Sequence, residues 1–259
     1  MLLSFKTSLV YKAEIIFSIL GSIILLTVWI FLWKYLYSIK GGIIGISEQY
    51  LVTYFILSNG LSVIMFNSDV IGEVVNDIRT GNIAFHLARP YNYAFSILAK
   101  TIGRKILFNS IFVVLPMVII ATVIFGFEAP ASISRLFLAA SSALIAFFIF
   151  FGIYFIGGLS AFWMMELHGA IPLLLENSIR LLSGFLIPIW LFPSWLYSIA
   201  QYLPIRCGFD LPLSIYVGRG DMNFIINGFI IEFIWLILIY LIGLVVWNRG
   251  IQKLVIQGG

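Results

Sequence analysis

LFLAASSALIAFFIFFGIYFIGGLSAFW fills positions 136–163, 28 residues without one charged side chain. As a helix it would run about 42 Å, enough to cross a hydrocarbon core of about 30 Å with some tilt or projection. Strand-like alternation is absent, and hydrocarbon leaves no backbone group a partner outside its own segment, so the run reads as a helix. Outward from it, similar runs lie at 15–37, 50–66, 106–127, 170–192 and 224–247. The second is short but extends into its flanks. These six spans predict an all-α membrane protein forming one transmembrane domain over 1–259, with both termini on one side.

Composition agrees with that reading. Of 259 residues, 62% are hydrophobic and 10% charged, and the mean hydropathy is +1.10. So few charges cannot cover a soluble surface, which excludes a soluble enzyme, a disordered chain and a disulfide scaffold. The net charge of +4 does not call for nucleic acid; it fits basic cytoplasmic loops. With the termini inside, nine Lys and Arg fall on the cytoplasmic side and five outside, while Arg180 lies within a span. That predicts a multi-pass plasma (inner) membrane protein with both termini cytoplasmic. Cys207 is the single cysteine, so no intrachain disulfide forms. Lys6 and Lys12 flank an apolar stripe of Leu2, Phe5, Leu9 and Ala13, which suits an interfacial helix over 1–14 or a plain positive flank.

Two other non-spanning segments stand out. In the cytoplasmic segment 67–105, Ser68 can cap a helix whose Val70, Ile71, Val74, Val75 and Ile78 recur at helical spacing, and Gly81 can stop it. Asp69, Glu73 and Asp77 form an acidic stripe at i, i+4, i+8 on another face, either a solvated face or a docking surface. Pro90 breaks the chain before the third span. The outer segment 193–222 opens with Pro193-Ser194-Trp195 and carries Tyr197 and Tyr202, which suits a short extracellular or re-entrant helix.

Catalytic and nucleotide motifs are missing from the sequence. There is no G-x-x-x-x-G-K-[ST], H-E-x-x-H or G-x-S-x-G, so no cofactor is expected in this chain. His86 stands alone, and Glu166 beside His168 lacks the nucleophile or metal that acid–base work requires. The charges inside spans carry more weight, because lipid makes each of them costly. Glu176 and Arg180 stand at i, i+4 in the acid-first order, as a staple facing the bundle or as a polar patch in a pathway. Glu232 has no local partner and must face a neighbouring helix, a partner subunit or water. Pro116, Pro172 and Pro188 need neighbours to satisfy the carbonyls they free.

The stretch Asp77-Ile78-Arg79-Thr80-Gly81-Asn82-Ile83-Ala84 leading to Leu87-Ala88-Arg89-Pro90 resembles the segment after the second span in ABC-2-type transporter permeases. Leu182-Ser183-Gly184-Phe185-Leu186-Ile187-Pro188, then Phe192-Pro193-Ser194-Trp195-Leu196 and Leu203-Pro204, is similar to the family's fifth-span ending. The likeness covers essentially the whole chain. It implies a non-catalytic permease subunit of an exporter, with a second permease (identical or a sister chain) and two separate ATP-binding cassette ATPases that bind ATP and Mg. It implies a coupling helix over 69–80, with Asp69, Glu73, Asp77 and Arg79 as coupling residues. The second and fifth spans would line the route, offering Thr53, Ser58, Asn59, Asn177 and Arg180. The family's cargoes include drugs, peptides, lipids and glycans. The rival reading is a secondary transporter or channel, which calls for an internal repeat that this sequence lacks.

Overall fold

The computed structural model describes residues 12–39, 47–164 and 169–258. The expected interfacial helix over 1–14 falls almost wholly outside them, as do Glu166 and His168. Among the described residues, five stretches are long and apolar enough to cross a bilayer: Ile16–Ser38, Glu48–Arg79, Tyr93–Phe125, Ile133–Phe162 and Met222–Lys253. The chain is an all-α, multi-span membrane protein.

The first stretch lies in α1 (Lys12–Ile39). The second is bent, with α2 (Glu48–Met65) giving way at Phe66 and Asn67 to α3 (Ser68–Arg79). Asn67, rather than Ser68, occupies the cap position, and its amide turns backward to donate to the Ile64 and Met65 carbonyls. Lys105 Nζ donates to the Phe66 carbonyl at 2.7 Å. Three successive carbonyls at the bend are therefore satisfied by side chains, as a break within a bundle demands. Gly81, at φ 75°, ends α3 as its position predicts. The short α4 (Asn82–Leu87) follows, and then a turn through Pro90.

The third span starts earlier than the expected 106. Its first helix, α5 (Tyr93–Thr101), is capped by Asn92 Oδ1 accepting from the Phe95 amide. A π-helical segment, Ile102–Val114, then leads into α6 (Leu115–Phe125), whose second residue is Pro116. Within the π segment the buried residues are Gly103, Phe108 and Val113. Hydropathy misplaced the start because Lys100, Arg104 and Lys105 interrupt the apolar run, although they continue one helix.

The fourth span, α7 (Ile133–Leu159), is the hub. Helices α3, α10 (Asp210–Tyr216) and α11 (Met222–Gly258) all pack on it. Gly158 lets α3 approach closely: a Cβ there would stand 2.7 Å from Val74 Cβ. α1 and α11 are peripheral and turn Phe17, Val28, Phe31, Phe233, Ile237 and Tyr240 outward, as lipid-facing helices do.

The expected fifth span over 170–192 is not one helix. α8 (Ala170–Leu182) has 13 residues, about 20 Å, too short to cross. The chain then opens until a single 3₁₀ turn at Ile189–Leu191. Gly184 takes φ 91° just past the helix end, and Pro188 lacks an amide hydrogen and disfavours helix at Ile187. α9 (Ser194–Ala200) follows, with Trp195 and Ile199 exposed and Tyr202 exposed just beyond it, before α10 returns into the bundle.

Candidate functional site

Helix α3 buries the apolar face its spacing predicts: Val70, Ile71, Val74, Val75 and Ile78 are all at most 4% exposed. The acidic stripe, by contrast, is spent inside the chain. Asp69 pairs with Arg104 and lies 4.0 Å from Lys105 Nζ, and Glu73 pairs with Lys100. Asp77 is buried, accepts the Tyr93 hydroxyl at 2.8 Å and stands 3.5 Å from His86 Nε2. The two helices meet antiparallel, so acids four residues apart on α3 meet bases four apart on the third span. Each exposed pair is worth well under about 1 kcal/mol, but together they fix how α3 sits against the third span. Sequence reasoning weighed only the acids; the matching spacing of Lys100 and Arg104 was the signal for their partners.

Beyond α3 the chain forms an exposed corner. Arg79, Asn82, Leu87, Arg89 and Pro90 are exposed, and Phe85 is 71% exposed. Ile83, on the opposite side of α4, is fully buried and anchors the corner to the bundle.

The break after α8 is held by the first two spans. Ser183 O accepts from the Asp210 amide at 3.2 Å, and Gly184 O accepts from Tyr54 Oη at 2.7 Å. Phe185 O accepts from Ser58 Oγ at 3.2 Å, and Leu186 O accepts from Trp33 Nε1 at 3.3 Å. Four consecutive carbonyls released by the helix end thus find donors. Ser58 is consequently a brace in this chain, and with Asn59 it borders a gap of about 10 Å³, room for one water at most. Thr53, fully buried, accepts the Glu128 amide at 2.8 Å and ties α2 to the loop after α6. Of the expected lining set, Asn177 is exposed and Arg180 half-buried on α8.

Arg180 spreads its guanidinium over the Phe66 ring, 4.3 Å from the centroid, while its approach to Glu176 is a loose 3.9 Å. The guanidinium is thus shared between a stacked ring and a loosely placed acid. Glu232 is fully buried and its Oε1 accepts from Ser142 Oγ at 2.6 Å, so it faces the neighbouring α7. A second buried ion pair went unanticipated: Arg206 Nε donates to Asp210 Oδ2 at 2.9 Å, with both side chains under a tenth exposed. Arg206 also donates to the Gln201 carbonyl at 3.0 Å. Its i, i+4 spacing was readable, but the segment was taken as lying outside the bundle. Burial pushes the nearby Cys207 thiol above its ordinary range, which leaves it unreactive.

Among the described residues no group of three or more His, Cys, Asp or Glu could hold a metal ion. The apolar spans and the charges paired inside the bundle describe a polytopic membrane protein. The sequence profile described as ABC-2 family transporter protein matches residues 10–258, and the chain belongs to that family. It is a membrane permease subunit of the ABC-2 transporter family, whose permease domains are generally non-catalytic. No curated protein and no solved structure matches it.

Proposed function

We propose that the permease is half of an exporter driven by separate ATP-binding cassette ATPases, which bind the ATP and Mg. Two permeases, identical or sister chains, would assemble with two ATPases in a bacterial inner membrane, with lipid around the spans. Both termini and the corner between α3 and α5 would face the cytoplasm, while α9 would lie at the outer surface. The observation that supports this reading is the exposed Phe85 on a corner whose flanking segments, α3 and the third span, are tied together by the Glu73–Lys100 and Asp69–Arg104 pairs. Such a corner transmits displacement to α2 and the third span without bending. In this reading Asp69, Glu73 and Asp77 stiffen the coupling helix, while Arg79 and the residues around Phe85 make the contact. The half-buried Glu176 and Arg180 with exposed Asn177 give α8 a polar edge, which favours a second permease or an aqueous route beside it.

The experiment is copurification with the ATPase. The isolated permease should hydrolyse no ATP, while the complex should. Phe85→Asp places a charge where an apolar anchor is needed and should weaken association about thirty-fold, the scale of losing one aromatic hot spot. The variant should insert and fold normally. Wild-type association and transport by Phe85→Asp would remove the corner from the contact.

A further inference from the structure

Helices α7 and α11 pack on each other, but α5 leaves a gap beside them. Tyr93 stacks on Trp247 with ring centroids 5.4 Å apart, and beside this contact lies a cavity of about 610 Å³. That volume falls within the range of small-molecule sites, about 300–1,000 Å³. Its walls are apolar along most of their length, with Phe148, Phe155 and Ile156 from α7 and Leu236, Ile239 and Leu244 from α11. The polar groups gather at one end, where His86, Tyr91 and Asn92 come from the corner. His86 Nδ1 and Tyr91 Oη are hydrogen-bonded there. At the edges, Phe95 and Tyr240 are both about two-thirds exposed on helices that lie within spans, so the opening gives onto hydrocarbon. A filling molecule would therefore arrive from the bilayer.

The charge at the polar end selects among bilayer molecules. Residues 68–105, which supply that end, hold five bases and three acids. All three acids are engaged, with Arg104, Lys100 and the Tyr93 hydroxyl. Arg89 lies in the turn between His86 and Tyr91, both of which line the cavity, whereas Arg249, two residues past Trp247, falls on the other side of α11. Arg89 is exposed and has no acidic partner among the described residues. A phosphate-bearing head group with net negative charge complements that end, and a hydrocarbon tail complements the slot.

We propose that this cavity is a phospholipid site: one acyl chain lies between α5, α7 and α11, and an anionic head group sits by Arg89. The lipid replaces missing side-chain packing and joins the exposed corner to α11. This goes beyond the ATPase-coupling reading and does not depend on it. Gly243 supplies the control, because a Cβ there meets no atom nearer than Ile156 Cγ1 at 3.8 Å. A larger side chain would therefore enter the cavity without disturbing the packing, and leucine favours helix over glycine.

The test uses the full-length permease in mixed micelles with phosphatidylglycerol or phosphatidylcholine carrying a photoactivatable acyl chain. Labelled peptides are mapped by mass spectrometry. Phosphatidylglycerol should label residues on α5, α7 and α11, exceeding phosphatidylcholine by about five-fold, the scale of one base acting on one head-group charge. Gly243→Leu should abolish that labelling, while Gly21→Leu on α1, with nothing within 4 Å, should leave it intact. Arg89→Gln should bring the two lipids level without closing the slot. Equal labelling by both lipids in the wild type, or full labelling of Gly243→Leu, would overturn the site. So would crosslinks showing a second copy of the chain seated over this face.

Discussion

Arg206→Leu is expected to destabilise the permease by about 3–5 kcal/mol, the cost of leaving a buried charge without its partner. Asp210 is 3% exposed and Arg206 7%, so water cannot take over for either. The damage should spread, because the Asp210 amide also holds the Ser183 carbonyl at the start of the break. Asp210→Leu alone should be comparably harmful, since it strands the guanidinium beside the Gln201 carbonyl. The double change to leucine should recover much of the loss, because a paired set of apolar groups leaves no buried charge. Thermal unfolding in detergent, followed across the double-mutant cycle, measures this. Additive losses would mean that the two groups act separately.

The second large effect is expected at Gly184. Its φ of 91° is a conformation that β-branched residues avoid, and a Cβ there would meet Asp210 Cβ at 2.9 Å and Tyr54 Oη at 3.0 Å. Gly184→Val should therefore cost about 1–2 kcal/mol in backbone strain and about 1–3 kcal/mol in overpacking. It should also detach the Tyr54 hydroxyl from the Gly184 carbonyl. Gly72→Ala is the contrast: it sits on the exposed side of α3 with nothing within 4 Å and should be neutral or stabilising by up to about 1 kcal/mol. Both are read as folded yield and unfolding temperature. Equal behaviour of the two variants would show that the break tolerates a side chain.

Hydropathy made most of the fold legible, since a run of apolar residues reports that a segment is dry. It does not report whether the segment stays helical. The fifth run is as apolar as the others, yet Gly184 and Pro188 open it. The donors that accommodate this opening sit 127 to 153 positions away in Trp33, Tyr54 and Ser58. A polar residue in a span can serve a distant backbone as readily as a cargo, and sequence alone does not distinguish the two. Thr53 and Ser58 are lining candidates by the family resemblance, and each also bonds a distant backbone group. The acidic stripe was legible as a pattern, but its destination depended on Lys100 and Arg104 being helical, and the apolar threshold had placed them in a loop. The profile match and the family resemblance survive these local differences because both draw on the whole chain.

The wide segment of the third span has a consequence for how this protein tolerates length changes. Its buried positions fall five apart, at Gly103, Phe108 and Val113, whereas Met117 and Ala121 in α6 fall four apart. A stretch wound at i→i+5 holds more residues per turn than an α-helix does, so the segment carries surplus chain. Removing one residue between 106 and 112 should draw the segment toward ordinary helical winding and leave membrane-inserted protein at near wild-type levels. The same deletion within α7, where the buried positions on the hub must keep their phase against α3, α10 and α11, should abolish it. The third span is thus where an insertion or deletion could enter this sequence and still leave a folded bundle.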